Sequence, residues 1–146
     1  MELRRFIKRT INKYLNEGAF HTGKSFIGYR NIKSKDKGKY GTFYNAIKPK
    51  HYETKEVELS FKNPLIITDE NVYNFEGLSL EYLFWKWFPD LEDTYTIIAK
   101  KQGIEPGELI DKLVTKEAIK RGYDGIVMGD LEIIDLSTHD SFFSHK

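Results

Sequence analysis

The fold of this chain is decided by the stretch Ala118-Ile119-Lys120-Arg121-Gly122-Tyr123-Asp124-Gly125-Ile126-Val127, which runs on into Asp130-Leu131-Glu132-Ile133-Ile134-Asp135-Leu136. The pattern predicts a helix that stops at a glycine, then a tight turn and a strand. A two-residue Gly129-Asp130 connection should follow, because glycine tolerates the positive φ at the first central position of a type II′ turn. The stretch therefore predicts a helix followed by a β-hairpin.

Glu132 stands among aliphatic residues in the second strand of this hairpin. Side chains alternate between the two faces of a strand, so Glu132 should share a face with Ile134 and Leu136. A carboxylate on a largely apolar face is either a residue at the rim of the core or an acid placed for function. The pattern alone leaves both interpretations open.

The composition favours one folded domain and is compatible with a reducing compartment. The 146 residues include ten Phe, nine Tyr and two Trp, which is enough apolar surface for a core and argues against disorder. There is no cysteine, which excludes disulfides, thiolate metal sites and cysteine nucleophiles. The four histidines lack metal-ligand spacing. No apolar run is long enough to span a membrane and no secretory signal is apparent, so we expect a soluble, cytoplasmic protein.

The net charge of +1 hides a strong asymmetry along the chain. Residues 1–62 hold 15 Lys and Arg against 6 Asp and Glu, whereas residues 63–146 hold 8 against 16. Such a division suggests that the first part faces an anionic partner, such as nucleic acid or phosphate groups. The alternative is that the two parts of the chain complement each other within the fold.

Periodicity divides the chain into three regions. Residues 1–18 predict a basic amphipathic helix, which can pack on its own domain or dock on an anionic surface. Residues 24–137 should form an α+β domain with strands over Ser25–Arg30, Gly41–Asn45, Lys55–Phe61 and Leu65–Ile67. Residues 138–146 show no pattern and are predicted to be a flexible tail. There is no internal repeat.

The helical part of the domain lies between residues 79 and 121. Ser79 should cap a first helix that Pro89 ends, and Asp90 should open a second helix that runs to Gly103. Pro106 suits the first turn of a third helix. We expect Thr115 to begin a separate short helix that reaches Arg121.

The order of several motifs resembles the mono-ADP-ribosyltransferase superfamily, in particular the compact members from phages and mobile elements. The motifs are Tyr29-Arg30, Gly41-Thr42-Phe43-Tyr44, Lys62-Asn63-Pro64-Leu65, Gly122-Tyr123-Asp124-Gly125, and the strand that carries Glu132. The resemblance covers about residues 25–137. It implies a split β-sheet core with helices inserted between the strands, and a cleft that holds NAD.

Carried over residue by residue, the resemblance assigns NAD-binding roles to six residues. Arg30, next to Tyr29, would match the arginine that binds the phosphate and ribose of NAD. A planar guanidinium group suits this role because it can donate paired hydrogen bonds to phosphate oxygens. Gly41 and Thr42 fall where relatives carry a Ser-Thr-Ser run beside the nicotinamide. Tyr44 and Tyr52 could stack on the nicotinamide ring, although for either residue alone core packing is the more common role.

The same resemblance makes Glu132 the catalytic glutamate. Cleavage of the bond between nicotinamide and ribose builds positive charge on the sugar, and a fixed carboxylate stabilises that charge. Asp130 stands where relatives have a Glu or Gln that orients the acceptor. Its side chain is shorter, so this residue does not specify the chemical identity of the acceptor. The implied function is NAD-dependent ADP-ribosyl transfer, a glycosyltransferase reaction, to a macromolecule. The implied acceptor is a host protein in the host cytoplasm.

Two other functions are compatible with the sequence. The first is an inactive relative that keeps the fold and binds a host protein. The second is a nucleic-acid-binding protein that uses the basic N-terminal part, with the lysine-rich loop Lys33–Lys39. Such a protein should lose affinity steeply as salt concentration rises and should not need NAD.

Overall fold

The computed structural model describes residues 24–34, 38–68 and 80–142. It has a mixed sheet of six strands: β1 (Lys24–Asn31), β2 (Thr42–Asn45), β3 (Thr54–Phe61), β4 (Pro64–Ile67), β5 (Gly125–Met128) and β6 (Glu132–Asp135). Among the described residues, three α-helices lie between β4 and β5 in the chain: α1 (Glu81–Trp87), α2 (Tyr95–Gln102) and α3 (Pro106–Lys120). The α+β class is therefore confirmed. The predicted N-terminal helix over residues 1–18 lies outside the described residues.

The strands form one sheet in the order β3-β1-β2-β6-β5-β4. Only β4 and β5 are parallel, and the connection between them contains the three helices. This agrees with the general rule that parallel neighbours need a long crossover connection. All other neighbours are antiparallel. The centre of the sheet is the pair β2 and β6, which come from distant parts of the sequence.

The main hydrophobic core lies between the sheet and the helices. Helices α1 and α3 contribute apolar side chains that pack on aliphatic residues of β5 and β6, and the buried set includes Leu83, Phe84, Ile110, Val114, Ala118, Ile126, Met128 and Ile134. Because both faces of β5 and β6 are covered, the sequences of these strands consist largely of consecutive apolar residues.

A smaller core lies on the opposite face of the sheet. It contains Leu59, Phe61, Val127 and Ile133, with Tyr44 among the partly buried residues around it. Ile133 and Ile134 therefore belong to different cores, as the alternation of a strand requires. The predicted pairing of Glu132 with Ile134 on one face is confirmed, since both lie on the helix side.

Several predicted element boundaries are confirmed and two are wrong. Gly103 ends α2 with a φ of 71°, and Pro106 begins α3 as predicted. The segment after Pro89 forms a 3₁₀ turn, so α2 begins at Tyr95 and not at Asp90. Thr115 does not begin a new helix, because α3 is continuous and the Thr115 hydroxyl donates to the carbonyl of Asp111 one turn earlier. The predicted cap Ser79 lies outside the described residues.

The hairpin between β5 and β6 has a longer loop than predicted. Met128 pairs with Glu132, which leaves Gly129, Asp130 and Leu131 in the connection. The Leu131 amide donates to the Met128 carbonyl at 2.9 Å, and Gly129 has a φ of 53°. The two-residue turn was wrong because Leu131 belongs to the loop, which the sequence pattern did not show.

Asp124 explains the Gly-Tyr-Asp-Gly motif in structural terms. Its carboxylate accepts hydrogen bonds from the Lys62 and Asn63 amides at 2.7 and 2.9 Å. The side chain of Asn63 in turn donates to the Gly122 carbonyl at 2.9 Å. Gly122 has a φ of 94°, as a glycine after a helix end should. The motif fastens the end of α3 to the β3–β4 turn.

Residues 138–142, within the predicted tail, contact the rest of the domain. His139 is only 5% exposed, its Nε2 lies 3.0 Å from the Thr115 hydroxyl, and its Nδ1 accepts from the Ser141 amide. Phe142 packs against the main core. These contacts join distant parts of the chain, so they leave no local periodicity in the sequence. Within the described part of the chain, no helix has the length and apolar composition needed to span a bilayer.

Candidate functional site

Strand register places Glu132 in a row with Asn45 and Tyr29 across the centre of the sheet. Asn45 is the Cα partner of Glu132 between β2 and β6, and of Tyr29 between β1 and β2. Directly paired residues of antiparallel strands project from the same face and lie about 5 Å apart. The three side chains therefore form the floor of one site on the helix side of the sheet. Glu132 is half-buried there.

Tyr52 forms one side of this site. The Asn45 side-chain amide donates to the Tyr52 hydroxyl at 3.0 Å and to the Tyr29 carbonyl at 3.3 Å. Tyr52 remains 43% exposed, so its ring is held at one end and open to solvent elsewhere. Asn45 thus joins the connection between β2 and β3 to the floor of the site.

Acidic residues of α3 form the other side. Asp111 is close enough to Glu132 and Glu108 for both charges to act on it. Burial, and then the charges of these two residues, raise the pKa of Asp111 to about 7. The Tyr40 hydroxyl donates to the Glu108 carboxylate at 3.1 Å, and burial and this hydrogen bond raise the pKa of Tyr40. The site therefore contains one carboxyl group, that of Asp111, whose pKa is raised above the ordinary range.

The raised pKa of Asp111 predicts a pH-dependent stability. The folded protein keeps the Asp111 proton up to about pH 7, whereas the unfolded chain releases it near the ordinary value of 3.8. Stability should therefore fall as the pH rises from about 4 to 7. Asp111→Asn cannot ionise, so at pH 8 we expect the variant to exceed the wild type in unfolding free energy by about 2 kcal/mol. Urea denaturation at pH 5 and pH 8 measures this difference.

The exposed residue Asp93 supplies the control for this prediction. Asp93→Asn should leave the pH dependence of stability unchanged. The assignment is wrong if the difference between Asp111→Asn and the wild type is the same at pH 5 and pH 8.

Arg30, Tyr44 and Thr42 lie on the opposite face from Glu132. They alternate with Tyr29 and Asn45 along β1 and β2, and Tyr44 packs on the smaller core. The Arg30 guanidinium donates to the Phe43 carbonyl at 3.3 Å and the Ser34 hydroxyl at 2.7 Å. It also lies 5.7 Å from the Tyr44 ring centroid. The structure thus separates Arg30 from the row that contains Glu132.

Tyr44 and Thr42, which lie on the same face as Arg30, make contacts within the fold. Burial, then Asp135, raises the pKa of Tyr44, and nearby Arg30 opposes the shift. The hydroxyl of Thr42 lies 2.7 Å from that of Thr138. These contacts connect β2 to the segment that follows β6.

Gly41 and Asp130 lie at opposite ends of the β2–β6 pair. Gly41 precedes β2 with a φ of 103°, and a Cβ there would approach the Asp135 carbonyl to 2.8 Å. A side chain at residue 41 is therefore excluded by backbone conformation and by space. Asp130 is half-buried in the loop that leads to Glu132. Of the eight predicted site residues, Glu132, Tyr29 and Tyr52 come together on the helix side, with Asp130 in the adjoining loop.

Sequence reasoning missed Asn45 and Asp111. Asn45 ends the Gly41–Asn45 strand, and its alternation with Tyr44 was a signal that it faces the other way. Asp111 occupies a helix between the apolar residues Ile110 and Leu113, where a carboxylate facing the core side is unusual. Its proximity to Glu132 depends on packing between α3 and the sheet.

The site carries no arrangement for a metal ion within the described residues, where no three His, Asp or Glu side chains are grouped suitably. Comparisons with protein-family models, with curated proteins and with solved structures found no match to this chain.

Proposed function

We propose that this protein is an NAD-dependent ADP-ribosyltransferase in which Glu132 is the catalytic carboxylate. The observation that carries the proposal is the position of Glu132, half-buried at the start of a central strand, paired with Asn45 and close enough to Asp111 for its charge to act there. A fixed carboxylate in such a place can act on charge that develops in the transition state. The order of motifs shared with the ADP-ribosyltransferase superfamily supplies the reaction class.

The side chains on the helix side of the sheet have the chemical groups that this reaction requires. Tyr29 and Tyr52 offer aromatic surface to a planar ring, and Asn45 fixes the Tyr52 hydroxyl. The Glu132 carboxylate would favour the positive charge on the ribose while the bond to nicotinamide breaks and its electron pair leaves with nicotinamide. An acceptor nucleophile then bonds to the ribose carbon and gives up its proton. Asp130, in the adjoining loop, is the residue proposed to orient that acceptor.

The proposed acceptor is a macromolecule, with a host protein as the first candidate. This part of the proposal is supported by the resemblance to compact transferases of phages and mobile elements. The short side chain of Asp130 is compatible with several acceptor groups.

Substitution of Glu132 by glutamine tests the proposal. We expect Glu132→Gln to lower the rate of nicotinamide release from NAD by about 100-fold, because the amide keeps the shape and loses the charge. The measurement uses NAD labelled in the adenylate and a bacterial lysate. Nicotinamide release and the transfer of label to macromolecules are followed separately. Label that appears in one protein band and disappears in the variant identifies the acceptor.

The matched control is Glu58→Gln, which makes the same chemical change on the exposed surface of β3. It should release nicotinamide at the wild-type rate. The proposed role of Glu132 is excluded if Glu132→Gln, folded by circular dichroism, also keeps that rate. Release without label transfer would assign NAD hydrolysis to the site.

One observation favours a second candidate function, that of an inactive relative that binds a host protein. Arg30, the residue expected to hold the phosphate of NAD, lies on the opposite face from Glu132 and bonds to Phe43 and Ser34. A protein of this kind would consume no NAD with any lysate. Its effect on the host would survive Glu132→Gln.

A further inference from the structure

The C-terminal segment, residues 139–142, is held on α3 by the side chain of His139. The Nε2 atom of this ring lies 3.0 Å from the hydroxyl of Thr115 on α3, and the Nδ1 atom accepts a hydrogen bond from the Ser141 amide at 2.9 Å. The ring is buried, so these two partners take the place of water. Phe142, at the end of the segment, packs against the main core. One side chain thus connects the backbone of the segment to a helix of the domain.

The partners of the two ring nitrogens fix where the His139 proton lies. The Thr115 hydroxyl donates its single proton to the Asp111 carbonyl, so its oxygen is left to accept from the Nε2–H group of His139. The amide of Ser141 can only donate, so the Nδ1 atom that accepts from it carries no proton. The ring is therefore neutral, with its proton on Nε2.

A second proton on this ring conflicts with the geometry. It would have to bind Nδ1, where the new N–H group would face the N–H group of Ser141, and the hydrogen bond between them would be lost. The positive charge would also be out of contact with water, because the ring is buried. Protonation of His139 therefore opposes the closed arrangement of the segment.

The charged and titratable groups around the ring do not remove this conflict. They belong to α3, to the connection between β1 and β2 and to the segment itself, and they are Glu108, Asp111, Lys39, Tyr40 and Asp140. Asp111 keeps its proton up to about pH 7, so below that pH it offers no charge to an imidazolium. Glu108 already accepts from the Tyr40 hydroxyl. Both ring nitrogens have partners in the closed segment, so a carboxylate can accept from the ring only after one of these contacts breaks.

The segment also packs beside the candidate site. The ring centroids of His139 and Tyr40 lie 6.0 Å apart, and the Tyr40 hydroxyl donates to the Glu108 carboxylate on the acidic side of the site. The Asp140 amide donates to the Lys39 carbonyl at 3.1 Å, next to Tyr40. A change in the segment would therefore reach the connection between β1 and β2 and, through Tyr40, the acids of α3.

We propose that His139 is a pH-sensitive switch, in which protonation of its ring releases residues 139–142 from α3 and from the main core. In the released segment the ring is open to water and takes up a proton at about pH 6.5, as histidine ordinarily does, whereas the closed segment holds the neutral ring. The closed arrangement is therefore fully favoured above about pH 6.5 and loses stability as the pH falls below it. This switch would operate whether or not the protein acts on NAD.

Nuclear magnetic resonance of the full chain between pH 7.5 and pH 5 tests the switch. The nitrogen resonances of the His139 ring report its tautomer and its protonation, and hydrogen exchange reports the protection of the Ser141 amide. We expect the Nε2–H tautomer at pH 7.5. Below about pH 6.5, Ser141 protection should fall by about tenfold for each pH unit, as release linked to the uptake of one proton requires. Amides of β6 should keep their protection, because the segment opens without the sheet.

His139→Asn removes the titrating ring and keeps an acceptor for the amide two residues further on, as asparagine commonly provides in turns. In this variant the protection of Ser141 should no longer depend on pH. The matched control is His51→Asn, which makes the same change in the exposed connection between β2 and β3. It should keep the pH dependence of the wild type.

Three results would overturn the switch. They are a His139 ring that stays neutral down to pH 5, a ring that gains a proton while Ser141 keeps its protection, and a pH dependence that persists in His139→Asn. The titration of the wild type decides the first two, so the test is complete even where the variant does not fold.

Discussion

Phe84→Ala is expected to lower the free energy of unfolding by about 3–5 kcal/mol, the cost of removing a large buried ring together with the cavity that remains. Phe84 is fully buried in α1 at the centre of the main core. Its ring lies 5.0 Å from that of Trp85, 5.3 Å from Tyr95 and 5.8 Å from Phe88. These neighbours belong to α1, α2 and the turn between them, so one substitution disturbs the packing of the whole helical layer.

Chemical denaturation measures this effect, with Ile97→Ala as the control. Ile97 is a large apolar residue of α2 but is 55% exposed, so its truncation should change stability by no more than about 0.5 kcal/mol. Similar losses in the two variants would show that Phe84 does not have the central role that its burial indicates.

Gly125→Ala is expected to destabilise the protein by about 3 kcal/mol, at the upper end of the usual cost of overpacking. Gly125 begins β5 and is buried, and a Cβ at this residue would lie 2.5–2.8 Å from three ring atoms of Phe61. Phe61 is itself 3% exposed in the smaller core. The ring therefore has little room to move aside, and the backbone of β5 is held by β4 and β6.

A double-mutant cycle with Phe61→Leu tests the cause of this effect. The smaller side chain makes room for the methyl group, so the double variant should be more stable than the sum of the two single effects predicts, by at least about 1 kcal/mol. Additive effects would show that contact with Phe61 is not the reason for glycine at residue 125. The fourth residue of the Gly-Tyr-Asp-Gly motif would then need another explanation.

The sequence predicted most of the local structure because the signals for it are local. Gly103 and Pro106 mark the end of α2 and the start of α3 through their own backbone preferences. The alternation in β6 correctly placed Glu132 on the same face as Ile134. The predictions that failed concern the Leu131 loop, the start of α2 and the separate helix at Thr115, where local preferences are weak.

The sequence by itself therefore determined the order of the strands and helices along the chain and the face that each side chain shares with its neighbours in the same strand. Only the tertiary structure decided which face of one strand meets which face of another. Tyr29 and Arg30 are adjacent and point in opposite directions, so one residue of register decides which of them joins Glu132. That register is fixed by pairing of β2 with β1 and β6, elements far apart in the chain. It brings Tyr29 and Asn45 to Glu132 and directs Arg30 to the other side.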